Sequence, residues 1–309
     1  MRVVFMGTPD FAVPTLKAIH ASPHQLVAVV TIPDRPSGRG LKTHPSEVKV
    51  AATELGYPIL QPDSLKTPEL AGHIKDCFPD IIVVVAFQIL PPSVYEIPKF
   101  GAVNVHASLL PKYRGAAPIH RAILNGETET GVTTFQIVKK VDTGGVLLQE
   151  KTAIGNNETC GELWKKLSVL GAELIIPTLD GLDSGALLTR AQDNSNATSA
   201  RKIDKSEYSI HWSLTSERIH NQIRAFSPQP GAYTFLGDQR VKLFDSEIVS
   251  EVGYQLAPGK IESQKNVFHI GTGNGVIAIR SIQISGKQRM SISQFLNGYT
   301  VEEGQDFHE

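Results

Sequence analysis

Two side chains able to stabilise a developing negative charge stand two residues apart, at Asn104 and His106. Both belong to the run AVNVHA (102 to 107), which predicts a β-strand, and side chains two apart on a strand leave the same face of a sheet. Asn104 offers an amide donor, and His106 offers an imidazole, which changes charge near neutral pH. Such a pair could hold the oxygen of a carbonyl as charge develops on it. Taken alone, the pair is better explained as two hydrogen-bonded side chains at a strand end.

The surrounding sequence strengthens the catalytic interpretation. Lys112, Arg114 and Arg121 follow without an intervening acid, and Gly-Ala-Ala-Pro at 115 to 118 would let a helix begin near the pair. A carboxylate that could act with it is Asp142, in VDTGGVLL. An Asp-Thr-Gly-Gly sequence is commonly only a turn, because Asp bonds its own following backbone. Together with Asn104 and His106, Asp142 becomes a third candidate catalytic residue.

The first half of the chain alternates strand-like and helix-like segments, which predicts an α/β fold with a doubly wound, mostly parallel, Rossmann-like sheet. Helices are expected from Pro9 to about Ile19 and from about Ser46 to Leu55. In such sheets ligands bind at the carboxyl ends of the strands, so we expect the site in the loops that follow them. The predicted strands are RVVFM (2 to 6), LVAVVTI (26 to 32), DIIVVVA (80 to 86) and AVNVHA.

Glycine-based nucleotide motifs are missing from the sequence. Gly7 follows the first predicted strand alone, whereas the dinucleotide fingerprint needs three glycines in a fixed frame. The cluster GTGNG at 271 to 275 lies between two strand-like runs and predicts a hairpin turn. There is no Walker-type phosphate loop either, so neither a dinucleotide cofactor nor ATP hydrolysis is supported.

The composition is that of an ordinary globular protein. Of 309 residues, 41% are hydrophobic and 20% charged, and 30 Lys+Arg balance 31 Asp+Glu, which excludes a disordered, collagen-like or coiled-coil chain. No apolar run approaches the ~20 residues that span a bilayer, and the first residues lack a signal-peptide core. Two cysteines, Cys77 and Cys160, exclude a disulfide framework and a Cys-rich zinc module. We therefore expect a cytoplasmic protein with no membrane contact and no metal.

The chain changes character after residue 189. TRAQDNSNATSARKIDKSEYS (189 to 209) has almost no large apolar residue and predicts a linker, so we expect domains at 1–189 and 209–309 joined by 190–208. Residues 201 to 301 hold 12 Lys+Arg and 8 Asp+Glu, an excess that fits either nucleic-acid contacts or a solvated surface. Short β-rich runs at close spacing predict a small antiparallel barrel: AYTFL, RVKLFDSEIV, GKIES, NVFHIG and GVIAIRSIQI.

Several motifs occur together along essentially the whole chain: VVFMGTPDFAVP, TIPDRPSGRGLK, NVHASLLPKYRGAAPIHRAI, ETGVT, VDTGG and IRAFSPQPGAYT. The Asn-x-His, SLLP and downstream Asp-x-Gly elements resemble the 10-formyltetrahydrofolate-dependent formyltransferases. PDRPSGRG, YRGAAPI and RAFSPQPG resemble, within that family, the branch that acts on methionyl-tRNA. Two positions depart from the pattern: AFQILPP has Phe87 in the aromatic position and lacks a glycine, and Gly145 replaces an acid.

The resemblance implies transfer of the formyl group of 10-formyltetrahydrofolate to the α-amine of initiator methionyl-tRNA, for translation initiation, without a metal. Asn104 and protonated His106 would donate to the tetrahedral oxyanion, while Asp142 would favour the charged form of His106 and receive the amine proton. The C-terminal barrel, OB-like, would bind tRNA, and we expect a monomer. The residues implied in folate binding are Phe87, Gln88, Ile89, Leu90, Ser108, Leu109, Leu110 and Pro111.

A basic loop follows the second predicted strand, in PDRPSGRGLKTHPSEVK. Its prolines and glycines predict irregular backbone, and its position after a strand end places it over the presumed site. Arginine binds both phosphates and unpaired bases, so Arg35, Arg39 and Lys42 are predicted to contact tRNA. A solvated surface loop is the alternative.

Three other functions are weighed against this one. A formyltransferase for a nucleotide-linked amino sugar is disfavoured by the large C-terminal half and the basic loop. An RNA-binding module with a degenerate catalytic domain is disfavoured by the intact Asn104, His106 and Asp142. A nicotinamide dehydrogenase is disfavoured by the missing glycine frame.

Overall fold

A seven-stranded sheet occupies the first part of the computed structural model, which describes residues 1–37, 42–249, 253–264, 266–302 and 305–309. Its strands are β1 (Arg2–Gly7), β2 (Gln25–Val30), β5 (Ile59–Leu60), β6 (Ile81–Val85), β7 (Ala102–His106), β8 (Glu129–Gln136) and β9 (Val146–Ala153). Their order is β5-β2-β1-β6-β7-β8-β9. The first five strands in this order are parallel to one another, and β8 is antiparallel to β7. The predicted Rossmann-like sheet is confirmed, and the four strands expected from the sequence, β1, β2, β6 and β7, have bounds within two residues of those expected.

The register of the central strands determines which residues meet at the carboxyl edge. Gly7 pairs with Val85, and Val85 pairs with Val105. Ala86 and His106 therefore lie side by side just beyond those pairs, and Ala86 turns the chain away from the sheet in the left-handed region, at φ 45°. All five residues of β6 are buried, as the two-sided apolar run predicts.

Eight α-helices lie in the described residues: α1 (Val13–His20), α2 (Glu47–Glu54), α3 (Pro68–Asp76), α4 (Pro92–Tyr95), α5 (Pro118–Leu124), α6 (Cys160–Asp183), α7 (Ser216–Ala225) and α8 (Ile292–Gly298). The two predicted helices correspond to α1, preceded by a 3-10 turn at Asp10–Ala12, and to α2. Ser46 caps α2 by accepting a hydrogen bond from the Lys49 backbone N–H at 3.1 Å. Among the described helices, none is both long and apolar enough to cross a membrane.

The expectation of irregular backbone in the basic loop was wrong. Two short strands, β3 (Arg35–Ser37) and β4 (Lys42–His44), pair antiparallel, with Pro36 opposite Thr43. A proline is tolerated here because each strand of a two-stranded ribbon has a free edge.

The described residues divide into two compact units. Unit 1 comprises 1–116, 130–152 and 164–200, and unit 2 comprises 117–129, 153–163 and 201–309. Two segments of the first half, 117–129 and 153–163, thus belong to the unit built mainly from the C-terminal residues. The domain limits 1–189 and 209–309 and the linker 190–208 stay a prediction.

Unit 2 contains an antiparallel sheet that curls into a half-barrel, in agreement with the predicted small barrel. Its strands are β10 (Ala232–Leu236), β11 (Gln239–Val249), β12 (Ile261–Gln264), β13 (Val267–Gly271), β14 (Val276–Ile284), β15 (Met290–Ser291) and β16 (Phe307–His308). The GTGNG cluster joins β13 to β14 as the predicted hairpin turn, in which the Thr272 N–H donates to the Gly275 carbonyl at 2.8 Å. Alternate residues of β10 are buried, which gives the sheet one core face.

A partly buried ion pair ties α5 to the segment that precedes the half-barrel. Arg121 donates from both terminal nitrogens to the Glu207 carboxylate, at 2.5 and 2.8 Å, and also to the carbonyls of Arg201 and Lys202. The hydrogen bond from Arg121 lowers the pKa of the Glu207 carboxyl to about 2. Arg121, one of the basic residues that the sequence placed near the candidate site, therefore binds residues of unit 2.

Acid should weaken unit 2 through this pair. Glu207 ionises at about 2 when folded and near 4.5 when unfolded, so its contribution is present above pH 4.5 and is lost as the pH falls towards 2. Because the pair is partly exposed to solvent, we expect this contribution to the free energy of unfolding to be about 2 kcal/mol. Glu207→Gln should remove that part of the acid dependence in urea unfolding measured from pH 6 to pH 3. Glu247→Gln, which breaks the half-exposed pair with Arg280, is the control and should change little. Equal pH dependence in the Glu207 variant and the parent would contradict this assignment.

Candidate active site

His106 lies at the carboxyl end of β7 with only 7% of its surface exposed. Its Nε2 is 2.9 Å from the carbonyl oxygen of Tyr113. A carbonyl can only accept, so Nε2 carries a hydrogen and donates it. The other nitrogen, Nδ1, is therefore the one left for chemistry. The ring also contacts Phe135 edge to face, at 6.2 Å between centroids.

Asp142 brings a carboxylate to that nitrogen. Its Oδ2 lies 3.8 Å from His106 Nδ1 and accepts a hydrogen bond from the Gly115 backbone N–H at 2.8 Å. The distance to Nδ1 exceeds a normal N–H···O hydrogen bond of about 3.2 Å, so the two groups face each other without being bonded. Both side chains are largely buried, so little water screens the carboxylate from the imidazole. The structure thus brings together the His106 and Asp142 that the sequence singled out.

Asn104 precedes His106 by two residues on the same strand and is half-buried. Alternation along β7 directs its side chain to the same face as His106. Its strand neighbours are Val84 of β6 and Phe135 of β8. Within the described part of the chain, no hydrogen bond engages the Asn104 amide.

The loop that carries Asp142 is closely packed at its glycines. A Cβ added at Gly144 would lie 1.6 Å from the Gln136 carbonyl oxygen, and one at Gly145 would lie 2.6 Å from the Thr189 side chain. Asp142 itself adopts φ 53°, a left-handed conformation that Asp tolerates better than most residues. The close approach of the backbone explains why glycine follows at 144, and the Thr189 contact gives a local reason for glycine at 145.

The turn after His106 is held by hydrogen bonds that involve its backbone. The Ser108 hydroxyl donates to the Lys112 carbonyl at 2.7 Å, and the Thr133 hydroxyl donates to the Ser108 carbonyl at 2.6 Å. Gln149 donates to the Leu110 carbonyl at 2.9 Å, and the Leu110–Pro111 peptide bond is cis. The backbone of Tyr113, whose carbonyl orients His106, is held by a separate contact, because its N–H donates to the Thr198 hydroxyl at 2.8 Å.

The residues predicted to bind folate fall into two groups. Ser108, Leu110 and Leu90 are buried, and Leu110 packs with Phe135 and Val146, so these side chains shape the turns around the site. Phe87, Gln88, Leu109 and Pro111 are partly or fully exposed, and Ile89 is 75% exposed. Both loops begin at the carboxyl edge, directly after the neighbouring strands β6 and β7. Their part in folate binding remains a proposal.

The residues predicted to contact tRNA are only partly described. The backbones of Arg35 and Lys42 belong to β3 and β4, while their side chains and the whole of Arg39 lie outside the described residues. Arg114, which the sequence placed near the site, uses its guanidinium to bind Gln192 and Asn194.

Sequence reasoning missed residues that act through the backbone. Tyr113 orients His106 with its carbonyl, and Gly115 binds the Asp142 carboxylate with its N–H. No side-chain pattern could have revealed them, although the glycine at 115 carries a weak signal, because it adopts φ 127° and a Cβ there would meet the Ala200 carbonyl at 2.6 Å.

Neither cysteine is suited to act as a nucleophile. Burial raises the pKa of the Cys160 thiol to about 12, and burial also raises that of Cys77. In the parts of the chain that the structure describes, no three His, Cys, Asp or Glu side chains are grouped as metal ligands. The ionisable chemistry of this edge therefore centres on His106 and Asp142.

A mostly parallel sheet with Asn104, His106 and Asp142 at its carboxyl edge is followed along the chain by a half-barrel. The family model described as formyl transferase matches residues 1–179, and that described as formyl transferase, C-terminal domain, matches residues 202–300. The chain belongs to the formyl transferase family. The family resemblance noted in the sequence is thereby confirmed.

Curated relatives identify the branch of the family to which the chain is similar. It is 44% identical over 306 residues to the methionyl-tRNA formyltransferase of Syntrophomonas wolfei, covering 98% of both chains. It is 46% identical over 306 residues to that of Citrifermentans bemidjiense, covering 98% of this chain and 95% of the relative.

A solved structure supports the fold. The N-formyltransferase of Helicobacter canadensis, crystallised with folinic acid and dTDP-3-aminofucose, superimposes with a TM-score of 0.69 at 24% identity. The match covers 90% of this chain and 97% of that one. At this identity the likeness shows the fold alone.

Proposed function

We propose that this chain transfers a formyl group from 10-formyltetrahydrofolate to the α-amine of initiator methionyl-tRNA. The observation that carries the proposal is the convergence of the Asp142 carboxylate on His106 Nδ1, 3.8 Å apart, on the strand that also presents Asn104. Relatives at 44% and 46% identity over 98% of the chain are named methionyl-tRNA formyltransferases, which supports this acceptor.

The formyl oxygen needs hydrogen-bond donors during the reaction, and Asn104 and His106 lie on one face of β7 where they can supply them. When a neutral amine attacks a formyl carbon, negative charge develops on the formyl oxygen. Nε2 of His106 is committed to Tyr113, so Nδ1, when protonated, is the nitrogen that donates to this oxygen. The Asn104 amide supplies the second donor. Each such donor contributes roughly 3 to 4 kcal/mol to stabilising the transition state.

The proton balance assigns Asp142 its role. A bond forms from the formyl carbon to the methionyl nitrogen and the bond to the folate nitrogen breaks, so the first nitrogen loses a proton and the second gains one. Asp142 accepts the amine proton, directly or through water, because its carboxylate lies at the carboxyl edge of the sheet and its Oδ1 accepts no hydrogen bond from any residue that the structure describes. The same carboxylate faces His106 Nδ1 at 3.8 Å.

The loops that flank the site fit a folate. Folate in its formylated form supplies the activated formyl carbon. Ile89, Phe87 and Leu109 offer apolar side chains at the carboxyl edge, and the Ser108–Pro111 turn offers backbone groups that would read the polar edge of a pterin. Folinic acid in the Helicobacter canadensis neighbour is a folate of the same chemical class.

The basic loop is proposed to guide the acceptor end of the tRNA. We expect Arg39→Ala combined with Lys42→Ala to raise KM for methionyl-tRNA and flatten its salt dependence, because fewer counterions are released on binding. Steady-state kinetics at several salt concentrations measure both, and KM for the folate should stay constant. If KM for tRNA and its salt dependence are unchanged in a double variant of normal thermal stability, the loop is a solvated surface loop that does not bind tRNA.

The test of the proposed function is a comparison of acceptors from different chemical classes. The protein is incubated with formyl-labelled 10-formyltetrahydrofolate and either methionyl-initiator tRNA or a nucleotide-linked amino sugar. Label should appear on the methionyl-tRNA alone. Label on the amino sugar alone would overturn the proposed acceptor, and label on neither would overturn formyl transfer itself.

A further inference from the structure

We propose that Gln192 is a positioning residue, which holds the Asp142 loop in place for formyl transfer. This rests on the proposed function, because it concerns the same carboxylate. Gln192 lies in the segment predicted to be a linker, 50 residues beyond Asp142. Its part of the chain is brought to the loop by an antiparallel bridge, in which Val146 and Arg190 exchange two backbone hydrogen bonds of 2.8 Å.

The Gln192 side-chain amide forms hydrogen bonds to two backbone carbonyls of the Asp142 turn. Its Nε2 donates to the Asp142 carbonyl at 3.0 Å and to the Gly144 carbonyl at 2.7 Å. An amide nitrogen has two hydrogens, so both are used in the same turn. The left-handed conformation of Asp142 is intrinsically disfavoured, and these bonds to its own carbonyl and to the one two residues later stabilise it.

Arg114 fixes the orientation of that amide. Its Nε and Nη2 donate to Gln192 Oε1 at 3.0 and 2.7 Å. A guanidinium has no acceptor, so the amide oxygen must face Arg114 and the NH₂ group must face the two carbonyls. All four hydrogen-bonding positions of the Gln192 amide are thereby occupied.

The contacts form a closed ring around the carboxylate. Gly115, the residue after Arg114, donates its N–H to Asp142 Oδ2 at 2.8 Å. The backbone of Arg114 is held in turn, since it donates to the Thr198 carbonyl at 2.9 Å. Asp142 is therefore bonded to the Gly115 N–H through its carboxylate, and its main-chain carbonyl is linked through Gln192 to the Arg114 guanidinium. A shift of about 1 Å in a catalytic group can lower the rate by about 10²-fold.

The variants that test this role are Gln192→Met, which keeps the length of the side chain, and Gln192→Glu, which keeps the acceptor for Arg114 and removes both donors. We expect each to lower kcat by about 10- to 100-fold, with KM for folate and methionyl-tRNA within about twofold of the parent. Asn196→Ala, an exposed residue of the same segment, is the control and should leave kcat unchanged. A normal kcat in both Gln192 variants would overturn the proposal.

A double-mutant cycle separates positioning of Asp142 from a general structural effect. If Gln192 acts through Asp142, Gln192→Met should lower kcat by less than about threefold when Asp142 is already Asn. An equal fold loss in both backgrounds would overturn the proposal.

The Gly115 amide gives a readout that does not depend on the reaction. Its NMR signal and hydrogen exchange report the bond to the Asp142 carboxylate, with Asp142→Ala as the reference for a broken bond. We expect Gln192→Met to move both towards that reference, and a parent-like signal would overturn the proposal. Should the parent protein show no formyl transfer, the proposed function fails, and this signal alone decides the role of Gln192.

Discussion

Asp142→Asn should leave a stable, folate-binding protein whose turnover is about 10²- to 10⁴-fold lower, the usual contribution of a general acid or base. Asparagine keeps the shape of the side chain, accepts the Gly115 N–H and tolerates the left-handed backbone of this position. What it removes is the charge opposite His106 Nδ1 and the ability to take up the amine proton. Steady-state formyl transfer, folate titration and thermal unfolding measure the three quantities.

The matched control for that variant is Asp193→Asn. Asp193 caps a 3-10 turn in the same unit, where Asn is an equally good cap, and its side chain bonds Ser195 and Asn196. Turnover should be that of the parent. Near-normal turnover in a stable Asp142→Asn protein would reduce Asp142 to a turn residue.

Gly144→Ala should damage both the site and the fold. The new Cβ would lie 1.6 Å from the Gln136 carbonyl oxygen. Because that oxygen belongs to the backbone and not to a flexible side chain, the loop must move. We expect a loss of about 1–3 kcal/mol in stability, as for other overpacked positions, and a fall in turnover of about 10²-fold because Asp142 moves with the loop.

Gly72→Ala is the control for the glycine variant. Gly72 lies within α3 with nothing within 4 Å of an added Cβ, so alanine should stabilise the protein by up to about 1 kcal/mol and leave turnover unchanged. Urea unfolding and steady-state kinetics on both variants test the pair. A Gly144→Ala protein with parent-like stability and turnover would show that the loop relaxes without moving the carboxylate.

Four of the seven strands of the first sheet, β1, β2, β6 and β7, could be predicted because burial leaves a direct mark on the sequence. A central parallel strand is apolar on both faces, and DIIVVVA announces β6 to within one residue. Asn104 and His106 could be placed on one face because the side-chain period of a strand is fixed at two. Asp142 became a candidate only in combination with Asn104 and His106, since its local sequence is that of an ordinary turn.

What could not be predicted depends on contacts between distant polar groups. The Tyr113 carbonyl orients His106, and Gln192 reaches the Asp142 loop from 50 residues away, although its own segment has the composition of a linker. Helix α5 packs against α7 in unit 2, although the two helices are far apart in the sequence. Local periodicity carries no information on such pairings, because each residue alone is compatible with a solvated loop or surface helix.

The most direct test of the account is the initial rate of labelled formyl transfer to methionyl-initiator tRNA, methionyl-elongator tRNA and free methionine at equal concentrations. The proposed function predicts rapid transfer to the initiator tRNA, with far slower transfer to the other two. Equal rates on all three acceptors would contradict it.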